Sequence, residues 1–112
     1  MTCKGEFETL LLKTIDDSLK QVFGDNAAQI IYHYLDNNYS IKQEEIPEKL
    51  EAFTEGLAHF FGSGARVVEN IILTNLNSKI DPKYKMKEGR NFTDYVNELK
   101  TRHCNQPRRQ DT

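Results

Sequence analysis

Apolar residues recur along this chain at three- and four-residue intervals, the spacing that lines up one side of a helix. The first run is Phe7, Leu10, Leu11, Ile15, Leu19, Val22 and Phe23, with Glu6, Lys13, Asp16, Asp17 and Lys20 falling mostly on the other side. Gly24 is expected to end this helix, because without a Cβ it takes the left-handed cap conformation freely. Asp25 follows as an N-cap, its carboxylate accepting a backbone N–H. A second helix places Ala27, Ile30, Ile31, Tyr34 and Leu35 inward and is expected to end at Asn37-Asn38.

Ser40 with Gln43 three residues on fits a capping box for a short turn. Pro47 disfavours a helical Ile46 and marks a break. The third helix is expected from Glu48 to Phe61, with Leu50, Phe53, Leu57, Phe60 and Phe61 apolar. Gly62 caps it, and Ser63 starts a fourth helix with Ala65, Val68, Ile71, Ile72, Leu76 and Ile80 inward. Asp81-Pro82 closes that region. Beyond the alternating Lys83-Tyr84-Lys85-Met86-Lys87 and Gly89, Asn91 is an N-cap candidate with Asp94 at its third position. Phe92, Tyr95, Val96 and Leu99 then form an i, i+3, i+4, i+7 stripe. The pattern predicts an all-α bundle of four main helices plus a C-terminal amphipathic helix. It divides into a helical core (1–82), a basic extension carrying that helix (83–103) and a disordered tail (104–112).

A chain of 112 residues is one domain's worth and buries a real core unaided. The net charge is −2, which exerts no global pull toward nucleic acid or an anionic membrane. It is unevenly spread: residues 1–80 hold 7 Lys/Arg against 12 Asp/Glu (−5), and residues 81–112 hold 8 against 5 (+3). Two cysteines, Cys3 and Cys104, one near each end, do not amount to a disulfide framework, so a reducing compartment is expected. With no signal-like start and no apolar run approaching the ~20 residues of a membrane span, a cytoplasmic protein without membrane partners is expected.

The stretch IIYHYLDNNYSIKQEEIPEKLEAFTEGLAHFFGSGARVVENIILTNL carries four features together. These are an I-Y-x-x-L helix, an I-x-x-E-x-I-P connector, an F-x-x-x-L helix ending in F-G, and a G-A-R-V-x-E-x-x-I helix start. With Phe7–Leu19 added, the chain resembles, over roughly residues 7–76, a small archaeal helical domain sometimes called the Nitrosopumilus output domain family. That resemblance implies an all-helical domain acting as an output or adaptor element in signalling. It implies no catalytic residue.

Candidate chemistry is sparse. His33, His59 and His103 sit on different helices, and His103 beside Cys104 points about 100° away from it, so neither supplies a nucleophile with an oriented base. No cysteine has a partner at zinc-ligand spacing. Asp16-Asp17 and Glu44-Glu45 read as solvated helix faces. No catalytic residue, cofactor or metal ligand is therefore expected. Phe61-Gly62-Ser63-Gly64-Ala65 is the best ligand candidate, with Ser63, Gly64 and Arg66 as anion contacts at a helix start, though it lacks the lysine of a phosphate-binding loop. Phe92, Tyr95, Val96 and Leu99 are the candidate interaction surface, docking on the chain's own body or on a second copy. Three functions follow in order. The first is a non-enzymatic protein-interaction or signalling-output module, with a homodimer among its arrangements. The second is a small-molecule or anion sensor at Gly62–Arg66. The third is a nucleic-acid regulator working through the basic tail.

Overall fold

The structure, a computed structural model, describes residues 3–80 and 91–105. Five α-helices make up the described chain: α1 (Cys3–Phe23), α2 (Asp25–Tyr39), α3 (Leu50–Phe61), α4 (Ala65–Ile80) and α5 (Phe92–Asn105). Short 3-10 turns at Gln43–Glu48 and Gly62–Gly64 precede α3 and α4. No strand occurs among the described residues, and no helix among them is long and apolar enough to cross a membrane.

α1 lies at the centre, packed against α2, α4, α5 and the first 3-10 turn. Phe7, Leu11, Ile15 and Leu19 repeat at i, i+4 and are essentially inaccessible. Ala28, Ile31, Tyr32 and Leu35 of α2, with Phe53 and Leu57 of α3, close one side. Val68, Ile72, Leu73 and Leu76 of α4 close the other. Two polar residues of α1 are buried as well. Ser18 Oγ accepts from Asn75 Nδ2 at 2.8 Å, and Thr14 Oγ1 donates to Leu10 O at 2.8 Å while accepting from Lys79 Nζ at 3.3 Å. These bonds set the register of α4 on α1, since each buried polar group is costly unless paired. On the α2 side, Tyr32 Oη donates to Asp16 Oδ1 at 2.9 Å, and Lys20 meets the other carboxylate oxygen at 2.9 Å. Burial first, then the Asp16 carboxylate, push the Tyr32 hydroxyl well above its ordinary range.

The chain-end chemistry departs from expectation at three places. Gly24 has φ 92° and ψ 169°, positive in φ but extended in ψ; it is the N-cap of α2, which moves Asp25 inside the helix. α2 runs on through the two asparagines to Tyr39. It stops at Ser40, itself left-handed (φ 55°, ψ 39°), whose N–H donates to Asp36 O at 3.1 Å while Ile41 N–H reaches back to Leu35 O at 3.3 Å. Ser40 is therefore a C-terminal cap. The capping box of the following turn belongs to Lys42 and Glu45, with Lys42 N–H donating to Glu45 Oε1 at 3.0 Å. That bond holds the Glu45 carboxyl below its usual range. Ile46-Pro47 does not break the turn: both lie inside the 3-10 segment, where Ile46 is buried.

The largest correction concerns α5. Asn91 Oδ1 accepts Asp94 N–H at 2.8 Å, the expected cap. Phe92, Val96 and Leu99 then join the same core cluster as α1, with Tyr95 packed at its edge. α5 touches α1, α3 and α4, so it completes the body instead of forming a separate extension, and its apolar stripe is spent within the chain. Burying three such side chains gains about 1.5–3 kcal/mol each, which suffices to hold a helix this short. The helix persists to Asn105, past the expected start of the tail; residues 81–90 and 106–112, with the basic Lys83–Lys87 run, lie outside the described residues.

The cysteines are the other correction. Cys104 is disulfide-bonded, and the chain has one other cysteine, Cys3, in the first turn of α1. The expectation of free thiols missed that α5 returns to the start of α1, where the His103 ring lies 5.8 Å from that of Phe7. A cross-link closing so long a loop stabilises by up to about 4–5 kcal/mol through the unfolded state. Reductant, or Cys104→Ser, is expected to lower the denaturation midpoint by a large part of that amount. An unchanged midpoint in urea with and without dithiothreitol refutes it.

A candidate interaction surface

The helical stripes carry more apolar residues than the core accepts. α2 has two offset rows: Ala28, Ile31, Tyr32 and Leu35 face inward, and Ala27, Ile30 and Tyr34 lie outside them. α1 and α3 both end on adjacent apolar pairs, Val22-Phe23 and Phe60-Phe61. Val22, Phe23, Ile30 and Phe60 are exposed, at 45%, 37%, 59% and 38%.

These leftovers are not scattered. Phe23 stacks on Phe61 with centroids 5.1 Å apart, and Phe61 meets Phe60 edge-on at 4.9 Å. Phe60 meets Tyr34 at 5.0 Å, Tyr34 meets Tyr39 at 6.2 Å, and Tyr39 stacks on His59 at 6.1 Å. Tyr39 Oη and His59 Nδ1 are also hydrogen-bonded. The result is a continuous ridge of six rings crossing the ends of α1 and α3 and the outer face of α2. Partial burial first, then Tyr34 and Glu55, raise the Tyr39 hydroxyl above its ordinary range.

Gly56 makes the ridge geometry available. It is buried in α3 where α2 comes closest, and a Cβ there would collide with Leu35 Cδ2 and press on the Tyr39 ring at 3.4 Å. Hydrogen at that position leaves room for the Leu35 side chain and the Tyr39 ring as they are packed here, with Tyr39 beside His59.

The expected ligand junction sits on the other side of α3. Gly62, with φ 63° and ψ −134°, donates its N–H to Ala58 O and leads through the 3-10 turn into α4 at Ala65, so Ser63 precedes the helix by two residues. Ser63 and Arg66 line an open groove of about 590 Å³ together with Thr54, Phe92, Glu51, Glu55 and Glu69. Gly64 is not among its walls. Three carboxylates against one guanidinium give the groove a negative field, the wrong sign for the anion expected at this junction. Burial raises the Glu69 carboxyl above its ordinary value, an effect that Arg66 partly offsets.

The remaining expected sites are dispersed. His33 Nε2 bonds Asn37 Nδ2 at 2.9 Å, His59 bonds Tyr39 and His103 packs on Phe7, so the three histidines serve three separate places. Among the described residues no group of three His, Cys, Asp or Glu side chains is placed to hold a metal ion. Phe92, Tyr95, Val96 and Leu99, expected as an interaction surface, are core or core edge. Phe23 and Phe60, read as inward, are exposed, whereas Tyr34, Tyr39 and Phe61 are partly buried against the core and complete the run of rings.

Fold and surface together define a small, disulfide-bonded helical bundle with an aromatic ridge on one flank and an acidic groove beside it. Comparison with protein-family models, curated proteins and solved structures gives no match.

Two outcomes follow. Gly56→Ala forces Leu35 out of a packed rotamer, and overpacking of this kind costs about 1–3 kcal/mol against a helix-propensity gain of at most about 1. A net loss of stability with shifted Tyr34 and Tyr39 ring resonances is expected; a stabilised variant with unchanged rings contradicts the close-approach argument. For Glu69, a folded pKa above the unfolded value means a stabilising contribution that is present below about pH 4.5 and lost as pH rises through the folded pKa. Carboxyl NMR is expected to place its midpoint above the ordinary 4.5, and Arg66→Gln moves it higher still. A midpoint at or below 4.5 refutes the burial argument.

Proposed function

We propose that this chain is a non-enzymatic protein-docking module and that the aromatic ridge is its docking face. The observation that carries the proposal is the run of ring contacts from Phe23 to His59. Monomeric proteins scatter their exposed apolar side chains singly, and contiguous ones mark interaction sites. Tyrosine and phenylalanine suit the role, combining large rigid contact area with few rotatable bonds. The separate placement of His33, His59 and His103 supports a binding function over a catalytic one. A role as a signalling output element rests on the sequence resemblance alone, and the ridge is compatible with it.

The alternative readings have less behind them. Binding of an anion at Ser63 and Arg66 has to overcome Glu51, Glu55 and Glu69. Nucleic-acid binding through the tail depends on residues outside those described. A homodimer built on the α5 stripe has lost its contact surface to the core. The cytoplasmic location rested in part on free thiols, and the bond at Cys104 removes that part of its support, since such bonds persist mainly in oxidising compartments.

The test replaces Phe60 with the photo-cross-linker p-benzoylphenylalanine in the cells that make the protein, and does the same at Val67, a more accessible residue of α4 outside the run of rings. Discrete protein adducts from position 60, absent from position 67 and lost on adding Tyr34→Ser, are expected. Adducts that are identical at both positions, or missing from position 60, overturn the docking reading.

A further inference from the structure

The ridge does not stand in neutral surroundings. α2 and α3, which supply Tyr34, Tyr39, His59, Phe60 and Phe61, contain Asp25, Asp36, Glu51 and Glu55 and not one lysine or arginine. All four carboxylates are exposed, and none lies within salt-bridge distance of a basic residue among the described ones. Of the basic residues in the neighbouring segments, Lys20 pairs with Asp16 at 2.9 Å and Lys49 with Glu45 at 3.5 Å. Among the described residues, the two helices that supply most of the ridge therefore carry only negative charge, and Glu55 lies close enough to Tyr39 to raise its hydroxyl.

We infer that the occupant of the ridge is a basic amphipathic helix of a partner protein, with aliphatic side chains seated on the rings and Lys or Arg facing the α2 and α3 carboxylates. The inference rests on the ridge being a docking face. Two features choose this occupant. A second copy pairing through the same patch in a symmetric dimer would bring acidic flank against acidic flank, which like-charge repulsion penalises. A nucleic acid would meet the same repulsion from its phosphates. Spacing then favours a helix over an extended strand. Three of the five successive ring centroid distances, 4.9, 5.0 and 5.1 Å, lie near the ~5.4 Å rise of one helical turn, and the other two, 6.1 and 6.2 Å, fall between it and the ~6.6 Å of same-face strand residues.

The probes are two synthetic peptides of about 15 residues, long enough to form a helix on binding. Both carry leucine at i, i+3, i+4 and i+7; the remaining positions are lysine in one and glutamate in the other. Fluorescence anisotropy and amide chemical-shift mapping are read on the full-length oxidised protein. The lysine peptide is expected to shift Tyr34, Tyr39 and Phe60 and to bind at least ~10-fold more tightly than the glutamate peptide, weakening as salt rises from about 50 to about 300 mM. Phe60→Ser removes the binding, and the paired Asp36→Asn, Glu55→Gln variant, which leaves the rings alone, weakens it several-fold. Equal binding of both peptides on the ridge overturns the basic partner and leaves the docking face standing. Self-association in sedimentation that Phe60→Ser abolishes does the same in favour of a second copy. If neither peptide moves a ridge resonance and the protein stays monomeric, the docking face falls with the partner.

Discussion

The fold depends on one helix being buried along two faces at once. α1 presents Phe7, Leu11, Ile15 and Leu19 on one line and Thr14 and Ser18 on the next, and all six are inaccessible to water. A helix so enclosed must be surrounded, and α2, α4, α5 and the Gln43–Glu48 turn do so. The two lines act differently. The apolar line supplies burial energy that is indifferent to register, roughly 1.5–3 kcal/mol per large side chain. The polar line supplies register. Ser18 is satisfied by Asn75, and Thr14 takes Lys79 Nζ in addition to its own bond to Leu10 O, so sliding α4 by one turn would strand buried polar groups at a cost of about 1–3 kcal/mol each.

That arrangement decides what is left over for the surface. With α1 central and α5 filling the remaining side, the core is closed before the apolar residues run out. Val22-Phe23, Ile30 and Phe60 have no inward position to occupy. The close approach at Gly56 then gathers part of this surplus by drawing α3 onto the face of α2 that carries Tyr34 and Tyr39. Tight packing within the pair and ring exposure at its rim are thus two results of one glycine. A larger residue there would displace the Leu35 side chain and crowd the Tyr39 ring.

Much of this was legible in the chain. The helical periodicity gave five helices in order, the Asn91–Asp94 cap, and an α5 stripe too apolar to leave in water. The ridge was hidden by the same signal. A stripe is read as whatever apolar residues fall within a broad arc, and α2 offers two arcs offset by a single residue. Ala27, Ile30 and Tyr34 fit a helical face as well as Ala28, Tyr32 and Leu35 do, and only tertiary packing chooses between them. Ser40 misled for a related reason: a serine suits an N-cap by its hydroxyl, yet here its backbone takes the left-handed conformation and its N–H, not its side chain, does the capping. The disulfide was out of reach because the separation of Cys3 and Cys104 along the chain says nothing about distance. It follows from the return of α5 to α1, a property of the whole topology.

Charge completes the asymmetry between the two flanks of the molecule. On α1 the carboxylates of Asp16 and Asp17 are met by Lys13, Lys20 and Lys79, at 2.9–3.8 Å, so that flank is internally compensated. Exposed pairs of this kind add little stability, about 0–1 kcal/mol each, and their effect here is on the field around the protein. They offset it on the α1–α4 side, whereas Asp25, Asp36, Glu51 and Glu55 of α2 and α3 form no ion pair among the described residues. Glu51 and Glu55 line the groove, and Glu55 also lies near Tyr39 of the ridge. Uncompensated charge next to exposed rings is unfavourable to the isolated chain on both counts, since the carboxylates repel one another and the rings order water. A partner that covers the rings and neutralises the carboxylates relieves both together, which neither a purely apolar nor a purely basic surface would do.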